Sequence, residues 1–487
     1  MEENQLHARH PHVDTSTEAS LLGDNLRSPG KHDHGHTTKT GSGEGESGEF
    51  KRSLTFWKLC ALTFASVAGG PYGFEESVGA GGAYLTVVGI LLMPFFWSVP
   101  SAMMTAELAT MMPENGGHIL WVDRAFGPFW SFLNSYATLY ALIFEGGLYP
   151  VMFCDYFEEL LGVHFPEILR LGLSFTLVIA VAYLNIKGTD IVGDASVGFT
   201  IASLGPFLIM IVIGLMTRGI SLTEAPEVAP SNVKMVSFVT ILLWSTSGYD
   251  IVGACAGEVD NPGKTFPKAM AFALTVTTAL DCMSMVVGMS VVKNYASWHD
   301  GTFMDVAYEL GGDTLEAVFT FGAAISVIGL LCTLICSSSR IIYGMAVVGT
   351  LPKVFAKTSK RYGTPYMAII MNSVFVSSVV FLPFEALAEA EMWFYCVSTI
   401  LKFAALYKLR KDFPDKPRPF KIPLSDERIK YFCLVPCILC VLLIVIAEVR
   451  TQIIGAIGLL IAYVAYKAAV AIKGDASNLI AMDELDE

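Results

Sequence analysis

The sequence predicts an all-α integral membrane protein of about twelve spans, arranged as a five-plus-five inverted repeat with spans 1 and 6 broken. Three observations predict it. The 487 residues are 53% hydrophobic and only 16% charged, with a mean hydropathy of +0.54. Apolar runs of about twenty residues, the length that crosses a bilayer, recur along the chain. Two of these runs are interrupted by glycine-containing polar stretches beside carboxylates, at the positions that begin each half of the repeat.

Residues 1–50 are rich in His, Ser, Thr, Gly and Asp and contain no apolar core, which predicts a disordered cytoplasmic tail. Its "HARHPH" and "HDHGH" runs offer at most weak metal binding, and a solvated tail is the simpler expectation. A transmembrane core follows over 51–472, then a short acidic cytoplasmic tail over 473–487. Within the core, spans are expected at 56–81, 84–109, 129–154, 168–186, 193–216, 235–256, 268–292, 318–347, 366–385, 391–408, 431–448 and 452–472.

Loop charge sets the orientation. Basic residues gather after span 6 (Lys264, Lys268), after span 8 (Lys353, Lys357, Lys360, Arg361) and after span 10 (Lys408 to Lys430). The alternate loops are acidic: Glu158, Glu159 and Glu167; Glu224 and Glu227; Asp300, Asp305, Glu309, Asp313 and Glu316; Glu385, Glu389 and Glu391. Basic loops stay inside, so both termini are expected in the cytoplasm. With no retention signal at the C-terminus, the plasma membrane is the default location. The net charge of -13 is no nucleic-acid signal. The ten cysteines lie mostly within apolar runs; Cys433, Cys437 and Cys440 have helical spacing without a histidine or acid beside them, so packing is expected rather than a metal site or disulfides.

Span 1 contains "GGPYGFEESVGAGG", residues 69–82. Span 6 contains "STSGYDIVGA", residues 245–254. In both, an acid precedes Val-Gly-Ala. Unwound backbone is tolerated at membrane depth only where it lines a cavity, and broken half-helices there present unpaired N–H and C=O groups to ligands. A binding site at the two breaks is therefore expected, against the plainer alternative of glycines placed for close packing.

Three stretches carry a resemblance. "AGEVDNPGKTFPKAM" (256–270), "PENGGHILWVDRAFGPFW" (113–130) and "LRKDFPDKPRPFKIPL" (409–424) resemble motifs of the amino acid–polyamine–organocation superfamily, in the order found there. "GPYGFEES", "LYPVMFCDYF" and "WSTSGYDIVGACAGEV" are most similar to the polyamine and amino acid permeases of plants and protozoa, the polyamine:cation symporter family. The resemblance implies a LeuT-like fold and secondary active transport, with protons as the driving ion. It implies that Trp244 and Asp250 hold the span 6 aromatic and acid positions of related cation carriers, and that Glu258 anchors the inner end of span 6. One departure stands out: the Leu-Glu-Phe run common in span 10 is Leu401-Lys402-Phe403 here. Lys402 has two readings: it snorkels toward the cytoplasm, or it faces the cavity, where it would repel a cationic substrate.

A polyamine needs acids and aromatic faces, whereas an amino acid also needs N–H groups for its carboxylate. One ammonium–carboxylate contact gains about 4 kcal/mol at an effective dielectric of about 20, less than stripping water from a doubly charged diamine costs. Two separated acids are therefore required. The expected pairs are Asp250 with Trp244 and Tyr249 at one end and Glu145 with Tyr149 at the other. Gly70, Tyr72, Gly73, Glu76, Gly248 and Tyr395 complete the expected substrate site. Glu107, Glu145 and Asp250 are the candidate proton carriers. Asp281 is expected to play a structural part. Sodium is left open as coupling ion, since Ser337, Ser338 and Ser339 could serve as ligands. The expected function is polyamine import of the putrescine and spermidine class by proton symport. A cationic or broad amino acid permease is the alternative, and a non-transporting sensor a further one. No enzyme chemistry, cofactor or nucleic-acid partner is expected. Pro71 removes one N–H from the first break and so favours the polyamine.

Overall fold

The computed structural model describes residues 54–473 apart from 68–69, 115, 223–231 and 348. The two terminal tails, the histidine-rich runs and the loop acids Glu224 and Glu227 lie outside the described residues. The fold is all-helical: α1 (Phe56–Val67), α2 (Glu76–Met93), α3 (Val99–Met111), α4 (His118–Phe126), α5 (Pro128–Leu161), α6 (Glu167–Lys187), α7 (Thr189–Thr217), α8 (Met235–Ser245), α9 (Pro262–Val291), α10 (Thr302–Val347), α11 (Tyr366–Ser377), α12 (Phe384–Asp412), α13 (Ile429–Ile446) and α14 (Val449–Lys473). Among the described residues, eight helical stretches are long and apolar enough to cross a membrane, and α1, α8 and α11 are shorter apolar helices. The protein is a multi-pass membrane protein.

Both expected breaks are present. Between α1 and α2 the chain leaves helical geometry, with Gly70 at φ 121° and Gly73 at φ 80°. After α8, residues 246–250 are irregular, Gly248 has φ 97°, and a 3-10 stretch runs Ile251–Glu258. The breaks interlock because glycine has no Cβ. A Cβ on Gly248 would lie 2.2 Å from the Ser66 carbonyl, and one on Gly73 would lie 2.9 Å from the Trp244 ring. A parallel bridge pairs Leu54 with Val259: Leu54 N–H donates to Glu258 O at 3.0 Å, and Asp260 N–H to Leu54 O at 3.0 Å. The start of the first broken helix is thus tied to the end of the second.

Helix boundaries depart from the hydropathy limits wherever polar residues continue a helix. α2 runs unbroken in register to Gly82, whose φ of 81° and ψ of 168° turn the chain into the next pass. α9 starts at Pro262 rather than 268, since a proline at the first helical position loses no intrahelical bond. α10 starts at Thr302 and bends at Gly312, so Asp305 and Glu309 are helical, not loop residues. α12 starts at Phe384, which places Glu385, Glu389 and Glu391 on a helix. Pro94 cannot donate to the preceding turn, and the helix widens there over Pro94–Ser98, with Val99 N–H reaching Pro94 O. This turn aims Trp97 at the second break. Trp97 Nε1–H donates to Ser247 Oγ at 2.9 Å, and Ser98 Oγ donates to Thr246 O at 3.0 Å.

Two buried ion pairs bolt the end that carries the basic loops. Glu107 of α3 accepts from Arg410 Nε at 2.7 Å and from the Ile422 N–H at 2.9 Å, with Arg418 at 3.3 Å. Glu258 accepts from Arg340 Nε of α10 at 2.7 Å. The described cysteines are all unbridged, and no cluster able to hold a metal occurs among the described residues.

Candidate substrate site

A narrow cavity of ≈30 Å³ lies where the two breaks meet α5, α10 and α12. The first break supplies Gly70, Tyr72 and Phe74, and the second supplies Trp244, Ser247 and Gly248. α5 supplies Glu145, Tyr149 and Met152; α12 supplies Glu391 and Tyr395; α10 supplies Leu330. One water needs about 10–15 Å³, so the cavity holds a water or two and must widen to admit an organic solute.

The two acids of the wall share a local arrangement. Glu145 stands four residues before Tyr149, and Glu391 four before Tyr395, so each acid lies on the same helix face as its tyrosine. Tyr149 Oη donates to Glu145 Oε1 at 3.0 Å. Glu391 Oε2 is buried without a hydrogen-bond partner. The two carboxyls are within electrostatic reach of each other and of Asp250. A polar ladder sets the register between α5 and α12. Thr138 Oγ1 and Ser398 Oγ are 2.9 Å apart, and Ser398 Oγ donates to Asn134 Oδ1 at 2.8 Å.

Asp250 stands behind this wall. It accepts from Tyr395 Oη at 2.5 Å and from the ammonium of Lys402, which also sits 4.8 Å from the centre of the Tyr395 ring. Tyr395 Oη in turn accepts from the Gly248 N–H at 3.4 Å. Lys402 is 1% exposed, so of the two readings left open by the sequence, snorkelling to the surface does not hold. Its carbon stem runs inward because Tyr395 lies two turns earlier on the same face of α12 and Asp250 offers a buried opposite charge.

Of the expected site residues, Gly70, Tyr72, Glu145, Tyr149, Trp244, Gly248 and Tyr395 come together at the cavity. Gly73, Glu76, Tyr249 and Asp250 are not among the residues lining it. Gly73 backs onto Trp244. Glu76 faces a second small cavity with Glu385 and Glu389. Tyr249 turns toward Thr277 and Asp281 of α9. Glu107 is held in the Arg410 bolt, away from the cavity. Ser338 Oγ donates to Leu334 O at 2.6 Å and Ser339 Oγ to Cys336 O at 2.9 Å, within their own helix. Two residues carry little local signal for these roles. Glu391 falls among acids that read as a loop, although its spacing of four from Tyr395 marks the face. Nothing local in the sequence joins Lys402 to Asp250, 152 residues away.

A broken-helix membrane fold with a central polar cavity defines a transporter class. A family profile described as amino acid permease matches residues 54–465. A probable polyamine transporter of Arabidopsis thaliana is 33% identical over 431 residues, covering 86% of this chain and 88% of its own. A second Arabidopsis polyamine transporter is 32% identical over 424 residues, 85% of this chain and 84% of its own. A polyamine transporter of Oryza sativa subsp. japonica is 33% identical over 417 residues, 83% and 76%. The chain belongs to the amino acid permease family, within the amino acid–polyamine–organocation superfamily.

Proposed function

We propose that the protein imports polyamines of the putrescine and spermidine class by proton symport, through alternating access in a twelve-span, five-plus-five inverted repeat. Both termini lie in the cytoplasm, and the plasma membrane is its location. The plant relatives, which are named polyamine transporters, support the substrate class. The charge of the site carries the reading. Three carboxylates (Glu145, Glu391 and Asp250) face one ammonium, Lys402, which leaves two negative charges when all are ionised. Two negative charges on opposing helices match the two ammonium groups of a diamine. An amino acid brings its own carboxylate and would leave this excess unbalanced.

In this reading Glu145 and Glu391 each take one ammonium, and Tyr149, Tyr395 and Trp244 supply aromatic faces worth about 0.5–2 kcal/mol per cation. Lys402 keeps Asp250 neutralised, so that Asp250 orients Tyr395 instead of contacting substrate. Asp250 and Lys402 therefore act as a positioning pair. The glycines of both breaks let the half-helices rock against the α5–α12 frame.

The test is radiolabelled putrescine uptake into proteoliposomes with an imposed inward proton gradient, with unlabelled spermidine or arginine as competitor. Gradient-driven uptake blocked by spermidine and not by arginine is expected. Absence of putrescine uptake, with arginine transported, would move the assignment to a cationic amino acid permease.

A further inference from the structure

At the end of the molecule opposite the basic loops, two acids outside the cavity lie within electrostatic reach of each other. Glu75 is the residue before α2, and Asp300 lies in the 292–301 connection between α9 and α10. Glu75 is fully buried, and neither of its oxygens has a hydrogen-bond partner of good geometry. The backbone amides of Gly73, Glu75 and Gly301 lie nearby. Asp300 Oδ1 accepts from Tyr156 Oη of α5 at 3.2 Å, while its buried Oδ2 has no partner. The connection is pressed onto α2: a Cβ on Gly79 would lie 2.2 Å from the Trp298 carbonyl.

The surroundings are acidic. Asp300 faces Glu75 and Glu76 from α2 and its approach, and Asp155 and Tyr156 from α5. Tyr72 of the first break faces Glu75. The cations nearby serve other acids. Arg170 of α6 pairs with Asp155 and Glu158, both at 2.5 Å, and His299 and Lys234 face Glu76, which also faces the acid Glu385. Burial, then the charges of Glu75, Glu76 and Asp155, push the Asp300 carboxyl well above the usual carboxylate range. Glu75 is fully buried and Asp300 is half-buried with its Oδ2 enclosed, and two carboxylates facing each other there do not both stay ionised without a cation. No group of three or more His, Cys, Asp or Glu placed to hold a metal occurs among the described residues. The enclosed oxygens of Glu75, the enclosed Oδ2 of Asp300 and the close backbone contact at Gly79 favour a proton, the smallest cation, as the neutralising charge.

We propose that Glu75 and Asp300 form a carboxylic acid–carboxylate pair that holds one proton, and that this pair is the outer proton-loading site of the transporter. This rests on the proton-symport reading above. The pair takes its proton from outer water when α2 and the 292–301 connection part, and it is sealed when they close. The Tyr156 and Tyr72 rings, with centroids 5.7 Å apart, stand between it and the cavity that Tyr72 lines. Loading therefore reports on the half-helix that carries part of the substrate site.

The experiment uses the full chain in proteoliposomes and measures two fluxes. One is putrescine uptake driven by an inward proton gradient. The other is putrescine–putrescine exchange at equal pH. Glu75→Gln and Asp300→Asn mimic the protonated pair, and each is expected to keep exchange within about twofold while losing at least tenfold of the gradient-driven uptake. Gradient stimulation equal to wild type in both variants would overturn the proposal. No gradient stimulation in wild type itself would overturn it through the symport reading. If either variant fails to reach the membrane, Tyr156→Phe decides. Tyr156 donates to the ionised form of Asp300, so losing the hydroxyl raises proton affinity. Half-maximal stimulation should then move to a less acidic outer pH, and an unmoved midpoint would overturn the proposal.

Discussion

At the residue scale, the site depends on how buried charges are balanced. Lys402 is the clearest case. Removing it strands Asp250 in a buried site, and breaking such a pair costs about 3–5 kcal/mol. Lys402→Met should therefore lower the thermal stability of the detergent-solubilised protein sharply, and Asp250→Asn added to it should recover most of the loss. A double variant as unstable as Lys402→Met would show that the pair is not a unit. Lys402 was visible in the sequence as a departure in span 10, and Asp250 as an intramembrane acid. Their pairing was not visible, because it needs the second break to turn Asp250 toward α12. Glu391 was hidden for a different reason. Three acids within seven residues read as a loop by hydropathy, yet the helix begins at Phe384 and turns Glu391 inward while Glu385 stays exposed.

At the element scale, the breaks themselves were the most legible feature. Gly-Pro-Tyr-Gly (70–73) and Ser-Gly-Tyr-Asp (247–250) disfavour a regular helix in lipid, and both mark irregular chain in the structure. What the sequence could not show is the contact between them. Gly248 combines a φ of 97° with a Ser66 carbonyl in the space of its absent side chain. Gly127 also has a positive φ, 81°, but opens onto free space. Gly127→Ala should thus cost only backbone strain, about 1–3 kcal/mol. Gly248→Ala adds displacement of α1 and should lower the melting temperature further, with putrescine binding lost. Equal melting temperatures for the two variants would mean that the breaks do not interlock.

At the scale of the whole molecule, the charge layout gives a pH dependence. The Asp300 carboxyl is raised in the folded protein, so the folded state binds its proton more tightly than the unfolded chain. That contribution is full below the ordinary carboxylate range and is lost as pH rises through the folded value. Thermal stability in detergent should consequently fall on raising the pH, and Asp300→Asn should flatten the fall. A curve that Asp300→Asn leaves unchanged would remove Asp300 from the account. The class of the molecule was legible from composition and motif order. The assignment of roles among its acids was not, since Glu145 and Glu391, Glu107 and Glu258, and Glu75 and Asp300 become cavity walls, bolts and an outer pair only once the helices pack.

The central claim is that Glu145 and Glu391 together recognise the two ends of a diamine. The most direct measurement is calorimetric binding of putrescine and of butylamine, its one-ended analogue, to the purified wild type, Glu145→Gln and Glu391→Gln. Wild type should bind putrescine at least about tenfold more tightly than butylamine, a difference of about 1.4 kcal/mol, and each variant should lose that preference. Equal affinity for the two amines in wild type, or a preference that survives in Glu391→Gln, would contradict it.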